Sequence, residues 1–263
     1  MRCIKFVHCA DIHLDAPFIS LGIKDSHSLV GKSALRRMDL KNTFESIMKI
    51  AEDEGAGFVF ISGDLYEHNY VRKSTINFVN GIFKGLGNVK VFIVPGNHDP
   101  WVKGSYYRDF EWAENVHILA GDKTHVYFEE EGICIYGPDA FPGILMQGNF
   151  SELKTCSDNF DFDIGRHIKR DIINILLVHG TLDLNINQGS CNIMSSKQLE
   201  LLGMDYIALG HFHKRTDDIG SLGIIYNPGS PEPLGFDEPG EHGVYVGSIV
   251  KIGFLEKSLN IVF

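Results

Sequence analysis

Cysteine is scarce and poorly placed for pairing: five in 263 residues, at Cys3, Cys9, Cys134, Cys156 and Cys191, with no recurrent close spacing. That argues against a disulfide framework and against a zinc ribbon, and it fits a reducing cytoplasm. Long apolar runs are missing as well. The opening MRCIKFVHCADIH holds two histidines and an aspartate, and its apolar stretch is far too short for the core of a signal peptide. No run approaches the roughly 20 apolar residues that a membrane-spanning helix needs. Nor is there an excess of positive charge. With 24 Lys and Arg against 34 Asp and Glu, the net charge is -10. A chain of that sign does not coat nucleic acid by bulk electrostatics, although bound cations still attract phosphate locally.

Apolar content is ample, at 44% of the chain, enough to bury the core of one α/β domain spanning 1–263. Apolar runs alternate with amphipathic patterns, which predicts a sheet covered by helices. Strands are expected near Ile4 to Cys9, Phe58 to Ile61, Val89 to Val94, Ile133 to Tyr136, Ile172 to Val178, Tyr206 to Leu209 and Ile224 to Tyr226. Phe44, Ile47, Met48 and Ala51, and likewise Ile76, Val79, Phe83 and Leu86, fall at helical spacing and read as core-facing stripes. Ser195 and Gln198 have the spacing of a capping box ahead of Leu199, Leu201 and Leu202. The segment NPGSPEPLGFDEPGEHG, Asn227 to Gly243, reads as the loosest part, and Val244 to Phe263 as terminal strands. There is no repeat, no low-complexity tract and no linker that would split the chain.

The residues that follow the predicted strands carry the chemistry. ADIH brings Asp11 and His13, GDLYEH brings Asp64, and PGNHDP brings Asn97, His98 and Asp99. LLVHG ends in His179, and ALGHFH ends in His211 and His213. Ligand crevices form at the carboxyl ends of strands in open α/β sheets, so five such ends converge in space. Alone, a strand-end His or Asp is a hydrogen-bonded turn residue; seven at matching ends are a metal-ligand set. Asp, Asn and His suit manganese, iron or zinc, and the missing thiolates disfavour a structural zinc site. Seven donors exceed the need of one ion. Two ions sharing a carboxylate is the economical reading, with Asp64 as the bridge because Gly63 beside it permits close approach.

The ordered set Asp-x-His, Gly-Asp, Gly-Asn-His-Asp, a lone strand-end His and Gly-His-x-His resembles the calcineurin-like metallophosphoesterase superfamily. HCADIHLDAPF, GDLYE, PGNHDP, ALGHFHK and NPGSPEPLGF look most like the DNA double-strand-break repair exonucleases of the bacterial SbcD and YhaO type, over about His8 to Phe236. The resemblance implies a two-sheet α/β sandwich flanked by helices, with a dinuclear site at the carboxyl ends of the strands. One ion would be held by Asp11, His13, Asp64 and His213, the other by Asp64, Asn97, His179 and His211. Manganese is the implied ion, with iron or zinc as alternatives. Implied partners are DNA, a coiled-coil ATPase of the SMC type and a second copy of the chain. The capping domain and helical arm of such relatives have little room in 263 residues.

The chemistry of the residues agrees with that resemblance. Two divalent ions countered by Asp11 and Asp64 leave roughly two net positive charges, attractive to phosphate despite the acidic chain. A metal lowers the pKa of water from 15.7 to about 7, worth about 12 kcal/mol as an upper bound, whereas a positioned general acid is worth about 3 to 5 kcal/mol. In this scheme a hydroxide between the ions attacks phosphorus and His98, not a ligand, protonates the departing oxygen. The imidazole needs a carboxylate on its other nitrogen. Asp99 is adjacent, but neighbours on an extended chain point apart, so Glu67 is the expected partner. Glu67 stands where phosphatase members carry an orienting Asp and many repair nucleases His or Asp. His68 and Asn69 replace the arginine with which phosphatases grip a monoester, which disfavours monoester hydrolysis. The alternative function is a phosphodiesterase or phosphatase acting on a small molecule or phosphoprotein.

Other residues have plainer roles. WVKGSYYRDFEW, Trp101 to Trp112, is either a base-stacking surface beside the metals or a packed connection. Of the basic pairs Arg36 and Arg37, Lys169 and Arg170, and Lys214 and Arg215, the last alone is near the site by sequence. Cys9 reads as a small core residue and His8 as core or support for the site. His27, His117, His125, His167 and His242 read as solvated.

Overall fold

The computed structural model describes residues 2–18, 29–141, 168–183, 193–252 and 256–263. Cys156, Cys191, His27 and His167 lie outside them. The element order is β1 (Arg2–Cys9), α1 (Leu29–Asp53), β2 (Phe58–Ser62), α2 (Lys73–Gly85), β3 (Lys90–Val94), α3 (Tyr106–Asp109), β4 (Val116–Ile118), β5 (His125–Phe128) and β6 (Ile133–Tyr136). Then follow β7 (Ile173–His179), β8 (Thr181–Leu182), β9 (Ile193–Met194), α4 (Ser196–Leu201), β10 (Tyr206–Gly210), β11 (Thr216–Ile219), β12 (Ile225–Asn227), β13 (Tyr245–Ile252) and β14 (Glu256–Val262). Two mixed six-stranded sheets form, in the orders β14-β13-β1-β2-β3-β4 and β11-β12-β10-β7-β6-β5. The expected two-sheet sandwich is therefore present. Among the described residues no helix is long and apolar enough to cross a membrane.

Alternation along the strands explains the layers. Val7, Cys9, Val59, Ile61, Val91 and Ile93 face the helices, where they meet the predicted stripes Phe44, Ile47, Met48 and Ala51 of α1 and Ile76, Val79 and Phe83 of α2. The intervening Phe6, Phe58, Phe60, Phe92 and Val94 face the other way, into the second sheet's Ile133, Ile135, Ile173, Ile175, Leu177 and Tyr206. Successive side chains point to opposite faces of a strand, so β-branched residues fill one layer and aromatic rings the other. Phe6 and Phe60 pack at 5.1 Å between ring centroids, within the range of favourable tilted pairs. Leu176, Val178, Leu199, Leu202, Ile207 and Leu209 form a third layer on the outer face of the second sheet.

Several sequence expectations change. Ser195 is the N-cap of α4 but its side chain makes no cap hydrogen bond. Asp183 Oδ1 accepts from the Ser196 amide at 3.0 Å instead, so the capping box gives way to a carboxylate from outside the helix. Leu201, expected with the apolar run, faces solvent, while Leu199 and Leu202 are buried. His117 is half-buried on the Phe92 ring, and burial and nearby Lys123 push its pKa down to about 4. His242 is half-buried as well, with its ring nitrogens 2.8 Å from Ser230 O and 3.0 Å from Glu238 O; of the described histidines read as solvated, His125 alone is exposed.

His8 is fully buried in β1, with Nδ1 2.9 Å from the Tyr206 hydroxyl. Burial pushes its pKa down to about 3, against a smaller opposing contact from the Leu209 backbone. The folded chain refuses a proton that the unfolded chain takes up below about pH 6.5, so stability falls as pH drops through that window. By pH 4.5 the loss from His8 is roughly 2 to 3 kcal/mol. Urea unfolding in a chelator at pH 7 and pH 4.5 is expected to show a pH dependence smaller by about that amount in His8→Gln than in the unaltered chain. An equal dependence would contradict this account.

Candidate metal centre

Every candidate ligand lies at or just past the carboxyl end of a strand. His179 closes β7, while Asp11, His13, Asp64, Asn97, His211 and His213 lie in the turns after β1, β2, β3 and β10. Three of the five ends belong to the first sheet and two to the second. The sheets are stitched together at this rim: Ser62 Oγ donates to Ala208 O at 2.9 Å, and His179 Nδ1 donates to Ser62 O at 2.8 Å. The close approach needs glycine at two places. A Cβ on Gly63 would overlap the His179 ring, and one on Gly96 would overlap the Asp64 carboxylate. The turns are also strained. Asp11, His13, Asp64 and His211 have φ of 54°, 51°, 53° and 108°, a region that non-glycine residues occupy at a cost of about 1–3 kcal/mol each and that clusters at functional sites.

Two donor clusters face each other. His13 Nε2 and His213 Nε2 are 3.2 Å apart. The second nitrogen of each ring is already on a carboxylate, His13 Nδ1 at 2.8 Å from Glu67 Oε1 and His213 Nδ1 at 2.7 Å from Glu238 Oε1. A carboxylate accepts only, so each Nδ1 carries a hydrogen, and in the neutral rings each Nε2 lone pair faces the other. Nitrogens held about 2.1 Å from one ion sit about 3 Å apart, which is the separation seen. In the other cluster Asn97 Oδ1 lies 3.0 Å from His179 Nε2 and 3.1 Å from His211 Nδ1. Asp64 Oδ2 stands between, 3.2 Å from His179 Nε2 and 3.6 Å from His13 Nε2. Donor atoms of Asp11, His13 and His213, and of Asp11, Asp64 and His179, all fall within 4.8 Å of one another in each group. This is the donor chemistry of a divalent-cation site.

His98 sits at the mouth, its side chain 45% exposed, with Nδ1 3.1 Å from Glu67 Oε2. It also comes within reach of the His13 and Asp64 donors. Glu67 thus spans two rings, His13 on one oxygen and His98 on the other. Asp99 faces elsewhere. Fully buried, it accepts from the amides of Asp64, Leu65, Tyr66 and Gly96 at 3.1, 2.6, 3.4 and 2.6 Å and from the Tyr107 hydroxyl at 2.6 Å. It pins the Gly-Asp turn to the Gly-Asn-His turn. Asp99→Ala strands these donors and is expected to cost about 3 kcal/mol or more, against about 1 kcal/mol for Tyr107→Phe, measured by denaturant unfolding. Equal, small effects would show the cluster to be unimportant.

The electrostatics follow from the same contacts. Burial opposes charge on Asp64 and His179, but their contact outweighs it: the Asp64 carboxyl is held well below the usual carboxylate range, and His179 is raised to about 9. Burial, joined by the charge of Asp64, raises the Asp11 carboxyl against the opposing charges of His179, His213 and His13. Burial and the charge of His179 lower His211 to about 4. Glu67 resists its own burial through hydrogen bonds to His13 and His98 and is lowered to about 2. Its bond to His98 raises that imidazole above its ordinary value.

The aromatic segment is a packed connection. Tyr107 is buried, Tyr106, Phe110 and Trp112 pack on the core, and Trp112 Nε1 donates to Tyr106 O at 3.0 Å, which leaves Trp101, with Arg108 over its ring, as the exposed aromatic and no row of rings for stacking bases. Among the basic pairs, Arg36 is tied to Asp39 at 2.9 Å and to Pro233 O at 2.8 Å, and Arg215 to Asp217 at 2.5 Å, while Lys214 beside His213 is exposed. Cys9 is buried in the core, with Sγ 3.7 Å from Phe60 O. Two contributors escaped the sequence reading: Tyr107 and Glu238. Glu238 lies in the Gly/Pro-rich segment, where no periodicity marks a residue's direction.

The family model described as calcineurin-like phosphoesterase matches residues 4–215. Among curated proteins, the uncharacterized metallophosphoesterase YhaO of Bacillus subtilis (strain 168) is 29% identical over 92% of this chain and 57% of its own length. The DNA double-strand break repair protein Mre11 of Saccharolobus solfataricus is 26% identical over 89% of this chain and 56% of its own length. The chain thus spans little more than half of these relatives. Among solved structures, a dimetal phosphatase from Danio rerio aligns with a TM-score of 0.54 at 13% identity, covering 98% of this chain and 99% of that one, a likeness of fold.

Proposed function

This chain belongs to the calcineurin-like phosphoesterase family, and from that premise we propose that it hydrolyses phosphodiester bonds of DNA as a repair nuclease working at ends. The observation that carries the reading is the pair of facing imidazole nitrogens, His13 and His213, 3.2 Å apart with their other nitrogens held by carboxylates. Asp11, His13, Asp64 and His213 would hold one divalent ion and Asp64, Asn97, His179 and His211 the other. We assign manganese, with iron and zinc compatible with the same donors. When bound, such ions supply positive charge to a phosphate and make water acidic enough to attack it.

The chain's own residues do the rest. Asp64, facing both clusters, fixes their separation. Gly63 and Gly96 let the turns close on it. Glu67 holds His98 Nδ1, so the proton that reaches the departing oxygen leaves from Nε2, and the same contact raises the imidazole's pKa above its ordinary value, which favours the protonated ring. Asp99 acts as a positioning residue for the turn that carries His98. Exposed Lys214 lies beside His213, where it can meet a backbone phosphate. With His68 and Asn69 after Glu67, there is no arginine there to grip a terminal phosphate, which favours a diester.

Support for DNA comes from the relatives named as DNA double-strand break repair proteins. We extend the same reading to a cytoplasmic setting, a coiled-coil ATPase of the SMC type as partner and a homodimer, which co-purification and light scattering test directly. The substrate test compares single- and double-stranded DNA with nitrophenyl phosphate mono- and diesters in Mn²⁺. DNA and the diester are expected to turn over well above the monoester. Turnover of the monoester alone would replace this reading with a phosphatase acting on a small molecule or phosphoprotein.

A further inference from the structure

We infer that Glu238 is the positioning residue that orients His213 toward the metal, making the loop around residues 229–242 part of the site. The inference rests on the metal-centre reading above and reaches beyond residues 4–215, where the family match ends. Glu238 Oε1 lies 2.7 Å from His213 Nδ1, and its other oxygen accepts from the Leu234 amide at 2.8 Å. The carboxylate is therefore fixed before it touches the ring. Its side chain is only 20% exposed, so water competes weakly for the contact.

The arrangement mirrors that of Glu67 on His13. Each of the two imidazoles whose Nε2 atoms face one another is held from behind by one glutamate. Such a carboxylate selects the tautomer with hydrogen on Nδ1, leaves the Nε2 lone pair for the cation and raises its basicity. Glu67 sits in the turn after β2, three residues past a candidate ligand; Glu238 arrives from 25 residues beyond the ring it holds. The loop that delivers it is well anchored. Ser230 N donates to His213 O at 3.0 Å, Thr43 Oγ1 donates to Glu232 Oε1 at 2.8 Å, and Arg36 Nη2 donates to Pro233 O at 2.8 Å. Two of those anchors are on α1, so the segment that reads as loosest in sequence is tied to both the site and a helix.

The test is equilibrium Mn²⁺ binding to the full chain, followed by calorimetry and by electron paramagnetic resonance, in Glu238→Ala and Glu238→Gln, with thermal melting in chelator alongside. In Glu238→Ala one of the two ions is expected to bind about 10- to 100-fold more weakly and the other within twofold. Glu238→Gln keeps an oxygen that accepts from Nδ1 and is expected to recover most of the loss. The metal-free melting temperatures of both variants are expected to stay within about 2 °C of the unaltered chain, which a merely structural role would not allow. Unchanged affinity for both ions, or a loss matched by metal-free destabilisation, overturns the role of Glu238. If the unaltered chain takes up no Mn²⁺, the metal centre itself falls, and the inference with it.

Discussion

Asp64→Ala is expected to strip both ions from the protein and to lower hydrolysis of a phosphodiester by at least about four orders of magnitude, to background. Its Oδ2 lies 3.6 Å from His13 and 3.2 Å from His179, one residue of each cluster. Its Oδ1 accepts from the His98 amide at 2.8 Å, so the same change also loosens the turn that carries the proposed acid. Asp64→Asn separates the two effects. Asparagine tolerates the left-handed backbone at φ 53° and retains an accepting oxygen, but it lacks the charge. Metal content after dialysis, measured by mass spectrometry, is expected to fall from two ions toward none in both variants. Retention of two ions by Asp64→Asn would mean that another carboxylate joins the clusters.

His98→Ala is expected to do the opposite: keep both ions and lose about 10²- to 10⁴-fold in rate on DNA, or about 3 to 5 kcal/mol. The leaving group provides a sharper check. Nitrophenolate departs without a proton, whereas the sugar alkoxide of DNA does not, so the loss should shrink markedly on a nitrophenyl diester. His98 also lies within reach of the His13 and Asp64 donors. If the variant loses an ion, or slows equally on both substrates, His98 is a ligand and the proton comes from elsewhere.

What could be read from sequence was what the chain keeps contiguous. The five strand-end motifs each pack their donors within four residues of a strand, and the apolar runs from Phe58 to Ile61 and Val89 to Val94 marked β2 and β3 to within a residue. The carboxylates behind the rings are different. Asp99 sits beside His98 yet turns to amides of Asp64, Leu65, Tyr66 and Gly96, a direction set by the turn and not by adjacency. Glu238 reaches His213 across a Gly/Pro-rich loop, for which composition specifies no path. Short edge strands were missed for a related reason: β11, Thr216 to Ile219, is three parts polar and exposed, and it pairs because β12 offers it an edge. Composition left Trp101 to Trp112 open between two readings, since an aromatic cluster looks the same in sequence whether it faces a ligand or the core.

The candidate ligands are spread over two sheets, which orders their arrival during synthesis. All seven donors are present only once residue 213 has been added, and β1, which presents the first two, pairs along its length with β13, from His8 opposite Tyr245 to Arg2 opposite Lys251. A growing chain therefore lacks the last candidate ligands until residue 213 has been added, and lacks the strand that pairs with β1 until β13 has followed. A metal centre assembled this way comes into existence only once strands of both sheets are in place, so no shorter stretch of the chain carries the full donor set.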